Sequence, residues 1–216
     1  MKVRAVIFDL NGTLVDDIRF HFEAWTRLAE KIGAVMSQSI FQSFNGLKNE
    51  DIFPRLLGRE VGPALIDALG REKEEHYREL YRPHLAPVAG ANGLLARLRS
   101  EGVKLGLASS APPANRAMVL DGLSWNDTFD AVIVPEGIPG KPAPDIFLEA
   151  AKALDVPPSA CVVFEDAWNG VKAASTAGMT VIGITTNVDA EVLFRGGAVA
   201  TFADFTNLPD LDTFLR

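Results

Sequence analysis

Apolar positions along this chain fall into two kinds of run. Val3-Arg4-Ala5-Val6-Ile7-Phe8 is short, dense and β-branched, and it stops at Asn11-Gly12. Such a run predicts a strand covered on both faces, as in a parallel sheet. Lys104 to Ala108, Ala131 to Val134, Ala160 to Phe164 and Thr180 to Ile184 have the same character. Between them the apolar residues recur at helical spacing over Gly93 to Glu101, Asn115 to Asp121, Asp145 to Leu154 and Trp168 to Ala177. Pro157-Pro158-Ser159 and Gly178 punctuate two of the helix–strand joints. Strand alternating with helix predicts the α/β class, a doubly wound parallel sheet built from right-handed crossovers.

One stretch breaks the alternation. From Asp16 to Leu85 no run reads as a strand. Ile18, Phe22, Trp25, Leu28, Ala29 and Ile32 keep helical spacing up to Gly33, a stop signal. Ile40 to Phe44, Asp51 to Leu57 and Pro63 to Tyr81 also read as helices. A block of about 70 residues suits a small independent unit. The expected organisation is an α/β core over 1–15 and 88–216, with an all-helical cap domain over 16–87 inserted after the first strand. The joins fall near Val15 to Asp17 and Ala86 to Val88, and two chain crossings there make a natural hinge.

Composition narrows the class. The chain has 216 residues, 48% hydrophobic and 23% charged, with a formal net charge of −7. That balance is ordinary for a packed domain. Its acidity argues against nucleic acid or an anionic membrane surface as partner, since both need clustered Lys and Arg. Cys161 is the single cysteine, so an intrachain disulfide and cysteine metal clusters are excluded. Its place in a strand run marks it as core rather than reactive thiol. A reducing, cytoplasmic location fits. No secretory leader is expected in Met1 to Leu10, because Asp9 interrupts the apolar run too soon.

The candidate chemistry sits at four strand ends, where open α/β sheets bind ligands. Asp9 closes the first strand in Asp9-Leu10-Asn11-Gly12-Thr13. A carboxylate there is either a turn residue or a nucleophile that attacks phosphorus to give an acyl phosphate, with Thr13 and nearby amides on phosphate oxygens. Ser109 follows Ala108, and reads either as a helix cap or, with Ser110 and the amides of the next helix, as a phosphate site. Lys141, between Gly140 and Pro142, is either a solvated loop lysine or the cation that neutralises phosphate and attacking carboxylate together. Glu165-Asp166 follows Phe164, and offers either a helix cap or hard oxygen ligands for Mg²⁺.

The order of these features resembles the haloacid dehalogenase-like (HAD) superfamily, with its Rossmann-like core, over nearly the whole chain. Phe8-Asp9-Leu10-Asn11-Gly12-Thr13-Leu14, Gly140-Lys141-Pro142-Ala143-Pro144-Asp145-Ile146-Phe147 and Phe164-Glu165-Asp166 are similar to the motifs of its beta-phosphoglucomutase-like branch. The resemblance implies Mg²⁺ as cofactor. It implies Asp9 as nucleophile and metal ligand, and Asn11 as a ligand through its backbone carbonyl. Ser109 and Lys141 would hold the transferring phosphoryl group. Asp166 would ligate the metal, with Glu165 in its first or second coordination sphere.

Asn11 departs from the family pattern, which usually has aspartate there as general acid and base. An amide does neither job. Such help is typically worth ~10²–10⁴-fold in rate. Three readings stay open: an engineered Asp-to-Asn change that traps a complex; a natural variant using good leaving groups or recruiting Asp16, Asp17 or His21; or a phosphoester-binding protein without turnover.

In the cap, Asp16 to Trp25 resembles the start of the beta-phosphoglucomutase cap. His21 is a candidate substrate contact, while Trp25 reads as packing. Asn45-Gly46-Leu47-Lys48-Asn49-Glu50-Asp51 is similar to the family's cap loop, with Asn49 in place of an arginine that grips a second phosphate in the mutase. Lys48 or Lys73 is the candidate compensation. A mutase must hold two phosphates at once, and losing a bidentate Arg matters for that. The expected function is therefore a Mg²⁺-dependent phosphatase acting on a small phosphate ester such as a sugar phosphate. A hexose-phosphate mutase and a phosphoester-binding protein are the alternatives. A dehalogenase is disfavoured, because it has no use for the Glu165–Asp166 cation site. No zinc site is expected from three dispersed histidines. The sequence leaves oligomeric state open, and a monomer is compatible with it.

Overall fold

A computed structural model describes residues 2–44, 49–134 and 137–215. The chain divides into two compact units, Met1–Asp16 with Ala86–Arg216, and Asp17–Leu85.

The first unit is a six-stranded parallel sheet flanked by helices, the α/β arrangement expected from the alternation. Its strands are β1 (Ala5–Phe8), β2 (Lys104–Ala108), β3 (Ala131–Ile133), β4 (Cys161–Glu165), β5 (Thr180–Ile184) and β6 (Ala200–Phe202). Their spatial order is β3-β2-β1-β4-β5-β6, with every pairing parallel. β1 is fully buried at all four positions, which is why its sequence does not alternate. The connecting helices are α5 (Ala91–Ser100), α6 (Pro113–Gly122), α7 (Asp145–Ala153), α8 (Trp168–Thr176) and α9 (Ala190–Gly196). One face of the sheet meets a continuous apolar cluster that includes Ile7, Phe147, Leu154, Val163, Val171 and Leu193. The segments that leave and rejoin this unit run together: Val88 N–H donates to Leu14 O at 2.8 Å.

The structure moves several predicted boundaries. β1 begins at Ala5, and β3 ends at Ile133 rather than Val134. β4 is shifted by one, so Glu165 is its last residue rather than a loop residue. α6 begins at Pro113, where proline's fixed φ suits a first turn. α9 and β6 had no counterpart in the sequence reading.

The second unit holds α1 (Ile18–Lys31), α2 (Gln38–Ser43), α3 (Asn49–Leu57) and α4 (Pro63–Tyr81). They share a core that includes Trp25, Leu28, Phe44, Ile52, Phe53 and Leu69. Trp25 is thus packing, as read. Against this core lies a buried polar chain. Tyr77 donates its hydroxyl to Asp17 Oδ2 at 2.5 Å. The His21 ring stacks on Tyr77, centroids 3.9 Å apart, and Lys73 Nζ lies 2.8 Å from His21 Nδ1.

Candidate active site

Strand register brings the candidate residues together. The chain winds outward from β1 through β2 to β3, then returns to β4 and winds the other way. The gap between β1 and β4 is therefore the switch point where such sheets bind ligands. Phe8 pairs with Phe164 on one side and Leu107 on the other, so Asp9 stands level with Glu165 and Ala108. The Phe8 and Phe164 rings stack at 5.3 Å, and Asp9 N–H donates to Phe164 O at 3.1 Å. Stacked rings one residue below fix the two acidic strand ends side by side.

The turn after Asp9 is tight. Gly12 has φ +81, and a Cβ there would stand 2.1 Å from Asp166 Oδ2. Only glycine meets both demands. Gly12 N–H donates to Val15 O at 2.7 Å, and Leu14 N–H to Leu10 O at 2.9 Å. Thr13, read from sequence as a phosphate contact, is buried and donates its hydroxyl to Asp166 Oδ1 at 2.8 Å.

Lys141 reaches into the same place. Its ammonium donates to Asp9 Oδ1 at 2.5 Å, Glu165 Oε1 at 2.7 Å and Ala108 O at 3.3 Å. It also lies 4.9 Å from the Phe147 ring centroid. Three acceptors use the three donors of a lysine, so the solvated-loop reading fails. Burial alone would lower its pKa, but the charges of Asp9 and then Glu165 outweigh burial and hold it above the ordinary lysine value.

Glu165 joins two elements. Oε1 accepts Lys141, while Oε2 accepts the N–H groups of Asp166 and Ala167 at 2.9 Å each. It thereby satisfies the two amides just ahead of α8, a place where a negative charge is favoured. α8 (Trp168–Thr176) carries no side-chain cap, so Asp166 is not the helix cap of the alternative reading. A Cβ at Gly170 would stand 1.6 Å from Glu165 Oε1, so this glycine makes room for the carboxylate. Asp166 is fully enclosed. Burial, then the charges of Glu165 and Asp9, push its pKa well above the usual carboxylate value, against hydrogen bonds from Thr13 and Asn187.

Ser109 is buried at the end of β2, and its hydroxyl accepts Ala111 N–H at 3.1 Å. It closes a local turn and does not cap α6, whose N-cap is Pro112. Ser110 is exposed. Cys161 is buried at the start of β4, and burial pushes its thiol pKa up to about 11.

Two site residues escaped the sequence reading. Thr186 donates its hydroxyl to Gly12 O, and Asn187 lowers the Asp166 pKa against burial. Both lie in the loop after β5. Their one available signal was position, since that loop is another strand end on the same edge of the sheet.

The second unit's candidates form their own group. His21 and Lys73 belong to the polar chain described above, with Glu74 Oε1 2.9 Å from Lys73 Nζ. Burial, then the Lys73 charge, push the His21 pKa well below its usual value. Lys73 is itself lowered, chiefly by burial. Asn49 opens α3 and packs against Gly70, where a Cβ would stand 2.6 Å from Asn49 Nδ2. Lys48 lies outside the described residues.

A sequence profile of the haloacid dehalogenase-like hydrolases matches residues 3–178. The chain belongs to that family. Beta-phosphoglucomutase of Bacillus subtilis is 35% identical over 192 residues, covering 84% of this chain and 83% of its own. Validoxylamine A 7'-phosphate phosphatase of Streptomyces hygroscopicus subsp. limoneus is 33% identical, covering 88% and 89%. A HAD hydrolase, family IA, variant 3, from Entamoeba histolytica superposes with a TM-score of 0.89 at 29% identity, covering 100% and 98%. The protein is thus a HAD-family hydrolase of the beta-phosphoglucomutase-like subfamily. Among the described residues, no helix is long and apolar enough to cross a membrane.

The cluster suits a hard divalent cation. Asp166 is raised by burial and by carboxylates that Lys141 does not offset, and a dication relieves that repulsion. Among the described residues no group of three or more His, Cys, Asp or Glu is arranged to hold a metal ion. A site of two carboxylates, a carbonyl and waters is instead the kind Mg²⁺ accepts.

Proposed function

We propose that this HAD hydrolase is a Mg²⁺-dependent phosphatase that cleaves a small phosphate ester, such as a sugar phosphate, through an aspartyl-phosphate. The observation that carries this reading is Lys141 bridging Asp9 and Glu165 beside the Thr13-held Asp166. An ammonium on Asp9 lets the carboxylate approach an anionic phosphoryl group. Phosphoryl transfer asks mainly for such positioning and charge neutralisation.

In the first step an Asp9 oxygen bonds to phosphorus, and the bond from phosphorus to the ester oxygen breaks. The alcohol then leaves with a proton drawn from its surroundings. In the second step water attacks phosphorus, the acyl phosphate bond breaks, and Asp9 returns as carboxylate with inorganic phosphate released. Lys141 stays on Asp9 and the phosphoryl oxygens, and Ser109 adds a hydroxyl. Asp9, Asp166 and the Asn11 carbonyl would hold Mg²⁺. When bound it supplies positive charge to the phosphoryl oxygens.

Asn11 moves no proton in either step, so turnover is slow in this reading. Asp17 and His21 are poor substitutes. Asp17 is enclosed and accepts Tyr77. His21 faces the Lys73 ammonium through Nδ1 and is held neutral.

The 35% identity to a beta-phosphoglucomutase favours a second reading, a sugar-phosphate mutase with Lys73, Asn49 and Lys48 on a second phosphate. Asn49 supplies no bidentate cation for it. Phosphate release from a panel of sugar phosphates, with and without Mg²⁺, tests the proposal. Isomerisation on adding a sugar bisphosphate would establish the mutase. Phosphoester binding without either reaction, even in Asn11→Asp, would establish a binding protein.

A further inference from the structure

The loop after β5 carries none of the family motifs quoted above, yet it touches both sides of the cation cluster. Thr186 hydrogen-bonds Gly12 O, and Asn187 beside it lowers the Asp166 pKa against burial. The loop is fastened at its base: Thr185 N–H donates to Phe202 O of β6 at 2.9 Å, and its hydroxyl reaches the same oxygen at 3.4 Å.

Each contact fixes a direction. Gly12 is pinned at both ends, by Val15 O on its N–H at 2.7 Å and by Thr186 on its carbonyl. The Asn11 carbonyl shares a planar trans peptide with the Gly12 N–H, so it points the opposite way and loses its freedom to turn. Asp166, the partner carboxylate across the cation position, is held on Oδ1 by Thr13 at 2.8 Å.

We propose that Thr186 is a positioning residue of the cation site, aiming the Asn11 carbonyl through its hold on Gly12. This rests on the reading that a divalent cation binds between Asp9 and Asp166. Outer partners of metal ligands typically contribute about 10–100-fold in affinity.

Calorimetric titration of the full chain with Mg²⁺, without substrate, tests it. Thr186→Val should weaken Mg²⁺ binding about 10–100-fold. Thr186→Ser, which keeps the hydroxyl, should bind as the parent does. Thr186→Ala, a smaller change, serves if the valine variant does not fold. The loss of the hydroxyl should move the Mg²⁺ concentration for half-maximal phosphatase activity more than the KM for substrate. Parent-like Mg²⁺ affinity in folded Thr186→Val or Thr186→Ala, with Asp166→Ala abolishing binding, overturns the proposal and leaves the cation site standing. No Mg²⁺ binding by the parent overturns both.

Discussion

Lys141 Nζ lies 2.5 Å from Asp9 Oδ1 and 2.7 Å from Glu165 Oε1. A loop lysine therefore ties two adjacent strand ends, β1 and β4, into one electrostatic unit. Removing it leaves two carboxylates facing each other without the cation between them. Lys141→Ala should lower kcat by about 10²–10³, the scale of losing one preorganised donor to developing charge. Single-turnover phosphate release measures it, and a kcat within threefold of the parent would remove Lys141 from the chemistry.

Asn11→Asp should raise kcat by ~10²–10⁴ if the missing proton transfer limits turnover. The parent should also accumulate a phosphorylated form that the variant does not. Intact mass spectrometry after mixing with substrate distinguishes them. An unchanged kcat for Asn11→Asp would sink the general-acid argument.

Asp166 should carry a stability cost before metal binds. Its folded pKa is raised, so its stabilising protonated form is fully present below the unfolded carboxylate value and is lost as pH climbs through the folded one. At pH 7 without Mg²⁺, Asp166→Asn should therefore melt higher than the parent. In a chain of this size each 1 kcal/mol recovered is about 2–4 °C. Mg²⁺ should raise the parent's Tm and leave the variant's unchanged. A lower Tm for the metal-free variant counts against the picture.

His21 should make the second unit acid-sensitive. Lys73 faces its Nδ1 at 2.8 Å, Asp17 Oδ2 lies 3.7 Å from its Nε2, Tyr77 covers one face, and Glu74 binds Lys73. Its pKa is lowered on folding, so unfolding takes up a proton below the ordinary histidine value of about 6.5. Stability is then full above that value and declines as pH falls through it. Denaturation midpoints between pH 7 and 5 should drop more steeply in the parent than in His21→Gln. Equal slopes would show that another group controls the effect.

Gly170→Ala should act on Glu165 rather than on α8. The added methyl would stand 1.6 Å from Glu165 Oε1, so the carboxylate must leave either Lys141 or the Asp166 and Ala167 amides. Alanine otherwise favours a helix by about 1 kcal/mol over glycine. A loss of kcat together with a lower Tm is the expected result. A higher Tm with parent kcat would show that Glu165 is free to move.

The parallel sheet was legible because β1, β2, β4 and β5 are dense apolar runs of four or five residues. Asp9, Lys141, Glu165 and Asp166 were legible because each follows such a run or belongs to a family motif. α9 and β6 were not, since seven and three residues are too few to show a period. Nor were the partners of Glu165. Its two oxygens serve Lys141 and the Asp166 and Ala167 amides, a division set by register and by an absent side chain at Gly170. Thr13 reads as a phosphate ligand until Asp166, far along the chain, is seen to take its hydroxyl. Thr186 and Asn187 fit no periodic or motif signal, and the fold alone brings them to Gly12 and Asp166.

The placement of β1 also sets an order of assembly. Its partners, Lys104–Ala108 and Cys161–Glu165, are synthesised long after it. The core of the second unit draws on residues between Trp25 and Leu69. Those contacts are local, and local contacts form early while distant pairings wait. The helical unit should therefore consolidate on the ribosome first, while Ala5-Val6-Ile7-Phe8 remains an unpaired apolar strand. The strand that leads to Asp9 is then an apolar segment bare on both edges until Lys104–Ala108 emerges to cover one and Cys161–Glu165 the other.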